Sequence, residues 1–126
     1  MAAMVVVLAA GGAWFSVHRR SAAAGHAIDF TNGRPKLFDF GMGVCEQCKK
    51  MKPVMEQASR ELGGELEVHV LDIREDANER LAERYHMRVM PLTVLADSAG
   101  NELWRHEGFV DFPELSLAVA ERLAPR

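Results

Sequence analysis

Two cysteines, Cys45 and Cys48, are the residues of this chain whose type and spacing best suit chemistry. They are the only cysteines among the 126 residues, and they stand three positions apart. A disulfide that closes so small a loop constrains the unfolded chain little, so the pair would not hold a fold together. Two thiols are also too few for a four-thiolate zinc or iron–sulfur site. Two functions remain possible for the pair: redox chemistry and a two-coordinate soft-metal site.

The surrounding sequence predicts that the pair lies where a strand meets a helix. Residues 36–40 are a short run rich in apolar residues, typical of a buried strand, and apolar residues recur at helical spacing from Cys48 to position 62. Cys45 then begins the helix, and one turn separates its Cα from that of Cys48 by about 5–6 Å, within disulfide range. Unpaired N–H groups and the helix dipole favour a thiolate at Cys45, whereas Cys48 is expected to be a buried thiol. The pattern predicts that Cys45 attacks a disulfide and Cys48 resolves the mixed disulfide.

The other elements follow from periodicity and turn signals. Strands are predicted at residues 65–73, 92–95 and 102–106, a second helix around residues 77–85, and a last helix capped by Asp111 and Glu114. Pro53 is expected to kink the first helix. A strand–helix–strand unit requires a parallel pair, whereas the final hairpin is antiparallel. We therefore predict an α/β fold with a mixed β-sheet flanked by helices.

Several motifs resemble those of the thioredoxin family. They are Phe38-Asp39-Phe40, Cys45-Glu46-Gln47-Cys48-Lys49, Pro53 and Met90-Pro91-Leu92-Thr93. The resemblance covers about residues 28–126 and implies a thioredoxin-like fold with a central mixed sheet. Together with the segment from His106 to Phe109, it is closest to small membrane-anchored or exported thioredoxin-like proteins that are associated with cytochrome c biogenesis-type thiol carriers.

The resemblance implies a role for a carboxylate beneath the cysteines. Asp39 matches the buried carboxylate of the family, which would take the proton of Cys48 when that thiol attacks the mixed disulfide. A solvent-facing aspartate at the end of a strand is the alternative. Gly41 departs from the family pattern, because an aromatic residue usually stands there.

The resemblance also implies a substrate-binding groove. Pro91 matches the family's cis-proline, which would place the Met90 backbone beside Cys45, where an incoming chain can pair as an added strand. Gly108 would let the substrate approach the same groove. Val44 occupies the position before the first cysteine, where thioredoxins usually have tryptophan.

These features predict a thiol–disulfide oxidoreductase, in first place a protein-disulfide reductase that needs no cofactor. Its partners would be client proteins with disulfides and an electron donor, either a membrane thiol carrier or a thioredoxin-reductase-type enzyme. A disulfide oxidant or isomerase of the same fold is one alternative. A Cu(I)-binding module that uses Met42, Cys45, Cys48 and Met51 is another, although Met51 also fits core packing.

The N-terminal residues predict a membrane connection. Residues 1–17 carry no charged side chain and would span roughly 25 Å as a helix, slightly less than a ~30 Å hydrocarbon core. We predict an apolar N-terminal helix, an anchor or signal segment, at residues 1–20, a linker at 21–27 and a thioredoxin-like domain at 28–126; a buried helix of the domain is the alternative. Arg19 and Arg20 would favour a cytoplasmic domain. The resembling proteins favour the extracytoplasmic, periplasmic face, which we expect.

Charge sets the remaining limit on partners. The net charge is −3, and 26% of the residues are charged. Nucleic-acid binding would require a clustered basic surface, which this composition does not indicate.

Overall fold

The computed structural model describes residues 27–125. The predicted anchor or signal segment at residues 1–20 lies outside these residues, as does the predicted linker except Ala27. Between residues 27 and 125, no helix is both long enough and apolar enough to cross a membrane.

Residues 27–125 form four strands and three helices in the predicted order. They are β1 (Lys36–Gly41), α1 (Glu46–Leu62), β2 (Glu67–Asp72), α2 (Asp76–Arg84), β3 (Leu92–Ala96), β4 (Glu102–Glu107) and α3 (Phe112–Leu123). Pro53 lies inside α1, and the carboxylate of Asp111 caps α3 by accepting the N–H of Glu114 at 3.0 Å. β2 is shorter at both ends than the sequence predicts.

The strands form one mixed sheet in the order β2-β1-β3-β4. β1 and β2 are parallel, whereas β1 with β3 and β3 with β4 are antiparallel. The predicted mixed sheet is therefore confirmed, and β1 lies in its centre.

Both faces of the sheet are covered by helices. Leu37 and Leu95 pack with α1 and α3 on one face, whereas Phe38, Phe40 and Tyr85 belong to the cluster on the α2 face. This division follows from the alternation of side chains along a strand. A central strand that is covered on both faces is apolar almost throughout, which explains the run at residues 36–40. Any polar residue in β1 is consequently buried.

Lys36 is one such residue, and its burial was not predicted. Its ammonium is fully buried at the start of β1, donates to Asn32 Oδ1 at 2.9 Å and to the Arg34 carbonyl at 2.6 Å, and pairs with Glu67 Oε2 at 3.2 Å. A buried ammonium requires such a complete set of partners. The pair links the first residues of β1 and β2.

Strand register brings three loops to one end of the sheet. Phe40, near the end of β1, lies opposite Leu92, at the start of β3, and Leu92 lies opposite Glu107, at the end of β4. The loop after β1, the loop before β3 and the loop after β4 therefore meet at the same end. These loops carry Cys45, Pro91 and Gly108.

Candidate active site

Cys45 is the N-terminal cap of α1. Its backbone is extended, with φ −80° and ψ 127°, and its Sγ accepts the backbone N–H of Cys48 at 3.3 Å. The Cys45 N–H donates to the Met42 carbonyl at 3.1 Å, which closes the loop after β1. A side-chain acceptor at this position satisfies one of the free N–H groups of the first turn. The sulfur thus occupies the place that an oxygen takes in most caps.

The two thiols differ in proton affinity. The pKa of Cys45 lies below its usual value, chiefly because the Cys48 thiol and then the Cys48 backbone N–H donate hydrogen bonds to its sulfur; the Glu46 charge opposes this. Burial, followed by the hydrogen bond to Cys45, raises the pKa of Cys48 to about 11. Cys48 is half-buried rather than fully buried as expected, because it borders an open cavity.

Asp39 lies in the middle of β1, and its side chain faces the same cavity. Only 4% of its surface is exposed, so the alternative of a solvent-facing strand end is wrong. Burial raises the pKa of Asp39 from 3.8 to about 7, and the charge of Asp39 contributes to the raised pKa of Cys48. Among the described residues, Oδ1 of Asp39 has no hydrogen-bond partner. The structure therefore brings a buried carboxyl and the second thiol together.

The cavity has a volume of about 600 Å³ and opens between α1 and β2. Asp39, Gly41 and Cys48 form part of its wall, and Lys49 and Lys52 also line it. Neither Cys45 nor Pro91 belongs to its described lining. The cavity therefore borders Asp39 and Cys48 from a side of the molecule that does not include the Cys45 sulfur.

Gly41 leaves room for the Cys48 side chain at the cavity wall. The sequence indicated only that Gly41 stands where the family usually has an aromatic residue. A Cβ at Gly41 would lie 2.9 Å from the Cys48 Sγ, whereas a Cβ at Gly43 would meet nothing within 4 Å. We expect Gly41→Ala to lower the free energy of unfolding by about 1–3 kcal/mol through overpacking. Gly43→Ala is the matched control and should change stability by less than about 0.5 kcal/mol. Urea denaturation of both variants measures the difference, and equal stabilities would contradict it.

The predicted substrate residues lie at the loops beside the thiols. The Met90–Pro91 peptide bond is cis, and the Gly108 N–H donates to the Pro91 carbonyl at 2.8 Å. Gly108 has φ +87°, a conformation that favours glycine. Val44 is 70% exposed beside Cys45. The structure thus joins Pro91 and Gly108 directly.

Two further apolar side chains lie at these loops and were not predicted from the sequence. Val89 precedes Met90 and Phe109 follows Gly108, and both are exposed by more than two-fifths, at 45% and 41%. Together with Val44, they place exposed apolar side chains on the three loops that carry Cys45, Pro91 and Gly108. Their positions next to the resembling motifs were the available signal.

The alternative of a Cu(I) site would use four side chains, and one of them, Met51, does not lie beside the cysteines at the surface. Met51 is fully buried in the cluster between α1, α3 and the sheet, as expected for core packing. Within residues 27–125, no group of three or more histidine, cysteine, aspartate or glutamate side chains is arranged to hold a metal ion. Of the histidines between residues 27 and 125, His86 is exposed, whereas His69 and His106 are half-buried.

This fold and this site define a class: a small α/β protein in which the first cysteine of a dithiol caps a helix at the same end of the sheet as a cis-proline loop. The protein-family model for thioredoxin matches residues 26–119 of this chain. The chain therefore belongs to the thioredoxin family.

Known thioredoxins share part of the sequence. Thioredoxin of Mycolicibacterium smegmatis is 33% identical over 64 residues, which cover 51% of this chain and 57% of that protein. Thioredoxin of Bacillus subtilis is 36% identical over 62 residues, 48% of this chain and 58% of that protein. The X-ray structure of Fasciola hepatica thioredoxin is similar with a TM-score of 0.60 at 28% identity, and the match covers 71% of this chain and 82% of that chain. The chain thus spans little more than half the length of the curated relatives that it matches.

Proposed function

We propose that this protein is a thiol–disulfide oxidoreductase that reduces disulfides in client proteins through Cys45 and Cys48. The observation that carries the proposal is the opposite behaviour of the two thiols. The pKa of Cys45 is lowered and that of Cys48 is raised to about 11. Because the thiolate is the nucleophile in disulfide exchange, Cys45 attacks first.

The first step forms a mixed disulfide. The Cys45 thiolate attacks one sulfur of the client disulfide, the client S–S bond breaks, and a bond forms between Cys45 Sγ and that sulfur. The other client sulfur leaves as a thiolate and takes a proton from solvent. The backbone N–H of Cys48, which donates to Cys45 Sγ at 3.3 Å, stabilises the attacking thiolate before the step.

The second step releases the client. Cys48 loses its proton to Asp39, and its sulfur attacks Cys45 Sγ. The mixed disulfide breaks, the Cys45–Cys48 disulfide forms, and the second client sulfur leaves as a thiolate. Two electrons have then passed from the dithiol to the client. Asp39 suits this role because its pKa of about 7 leaves a substantial ionised fraction at neutral pH.

The client segment binds across the loops beside Cys45. We propose that it pairs with the backbone at Met90, next to Pro91, and passes over Gly108. The exposed side chain of Val44 contacts the client beside its cysteine. Apolar exposure at these loops supports this placement.

The membrane connection and the electron donor belong to the same proposal. Residues 1–20 hold the domain at the membrane or direct its export, and the domain acts on the extracytoplasmic, periplasmic side. A membrane thiol carrier returns the disulfide to the dithiol; a thioredoxin-reductase-type donor is the cytoplasmic counterpart. A membrane-impermeant thiol reagent applied to intact cells should label the reduced protein, and labelling only after lysis would contradict this placement.

A redox titration tests the direction of electron flow. The full chain is equilibrated in defined thiol buffers, and the fraction of Cys45–Cys48 disulfide is counted by alkylation and mass spectrometry. We expect a midpoint near about −270 mV, as for thioredoxin. A midpoint above about −180 mV would replace the reductase by an oxidant or isomerase. If no intramolecular disulfide forms, the oxidoreductase proposal fails and a soft-metal site takes its place.

A further inference from the structure

Two buried polar atoms lie on the face of the sheet that α1 and α3 cover, and both lack partners. Oδ1 of Asp39 and Oγ1 of Thr93 have no hydrogen-bond partner among the described residues. Thr93 is fully buried in β3. Buried polar groups are nearly always hydrogen-bonded, so each such exception requires an explanation.

The strand register explains why the two atoms belong together. Asp39 in β1 lies directly opposite Thr93 in β3 in the antiparallel pair. Directly opposite residues share one face of the sheet, and their Cβ atoms are about 4.5–5.5 Å apart. A hydroxyl both donates and accepts, so it can pair with a carboxyl in either protonation state. A hydrogen bond between them, direct or through one bridging water, would give each atom the partner that it lacks.

We propose that Thr93 is a positioning residue for Asp39. The hydroxyl of Thr93 holds the carboxylate of Asp39 by a hydrogen bond, either directly or through one water. The proposal rests on the proposed function, in which Asp39 accepts the proton of Cys48. Hydrogen bonds to an ionised acceptor are stronger than those to a neutral one. Thr93 therefore favours the ionised form of Asp39 and counteracts part of the effect of burial.

Replacing Thr93 removes no other charged or titratable group from this face of the sheet. Those that line the cavity with Asp39 are Cys48, Lys49, Lys52 and Glu56 from α1 and Asp72 from β2, which pairs with Arg74. On the side of Thr93 they are His106 from β4 and Glu114 from α3, which contacts His106. His106 lies opposite Thr93, and its Nε2 donates to the Phe109 carbonyl at 2.9 Å. A shift that follows loss of the Thr93 hydroxyl alone is therefore assigned to that hydroxyl.

The test compares Thr93→Val, which has nearly the same shape without the hydroxyl, with Thr93→Ser, which keeps the hydroxyl. The carboxyl carbon of Asp39 is titrated by NMR in the reduced full chain in detergent micelles. We expect Thr93→Val to raise the Asp39 pKa by about one unit, and Thr93→Ser to stay within about 0.3 units of the parent. A Thr93→Val value within about 0.3 units of the parent overturns the proposal, and so does a Thr93→Ser value that matches Thr93→Val.

The second readout is the pH profile of client release from the mixed disulfide. Its midpoint should move up by about one pH unit in Thr93→Val. In an Asp39→Asn background, Thr93→Val should not move the profile further, because no carboxylate remains for the hydroxyl to hold. A shift that persists in this background would instead indicate a purely structural effect of Thr93→Val. If the protein exchanges no disulfide at all, the proposed function fails, while the NMR titration still decides whether Thr93 holds Asp39.

Discussion

Replacing Cys45 by serine is expected to lower the rate of disulfide exchange by more than about 1,000-fold. A serine hydroxyl forms no disulfide, so the first step has no nucleophile. The fold should survive, because a serine oxygen at the N-cap accepts the Cys48 N–H at least as well as sulfur does. Reduction of a model disulfide protein, followed together with far-UV circular dichroism, measures both effects.

Replacing Cys48 by serine should have a different outcome. The Cys45 thiolate still attacks, but no second thiol releases the client, so mixed disulfides accumulate to stoichiometric amounts. Non-reducing electrophoresis with and without reductant detects them. The Cys45→Ser/Cys48→Ser double variant is the control and should trap nothing. If Cys48→Ser traps no client while the parent is active, the order of attack is the reverse of the one proposed.

Replacing Asp39 by asparagine is expected to stabilise the protein at alkaline pH. Burial raises the pKa of Asp39 from 3.8, its usual value, to about 7 in the folded protein. Between these values the folded protein binds more protons than the unfolded chain. Its stability is therefore full below about pH 4, falls as pH rises through 7 and then stays lower by about 4 kcal/mol. Asp39→Asn removes this loss.

Urea denaturation between pH 4 and 9 measures the effect. The Asp39→Asn variant should gain up to about 4 kcal/mol over the parent at pH 8, with a flatter pH profile. Asp72 is the matched control, because it lines the same cavity but has its pKa lowered to about 2, first by the hydrogen bond from Arg74. Asp72→Asn should therefore lose stability above pH 4 instead of gaining it. A parent profile with no decline between pH 4 and 8 would mean that Asp39 is not buried as described.

The sequence determined most of the fold and the position of the dithiol. Helix and strand periods, the turn signals and the Asp111 cap depend on neighbouring residues, so they are visible along the chain. The position of Cys45 at a helix start follows from the same local patterns. The parallel and antiparallel pairings then follow from the order of the elements.

The resemblance implied that Asp39 is buried near Cys48, but only the tertiary structure decided how it is enclosed and which residue lies opposite it. The burial of Asp39, the open cavity that leaves Cys48 half-buried, and the gap at Gly41 depend on how α1 packs against the sheet. The pairing of Asp39 with Thr93 depends on register between strands that are far apart in sequence. Residue order does not specify such contacts, because register and packing are set by many side chains at once. The dithiol could therefore be found in the sequence, and Asp39 through the family resemblance, whereas the cavity, the close approach of Gly41 to Cys48 and the cross-strand neighbour Thr93 could not.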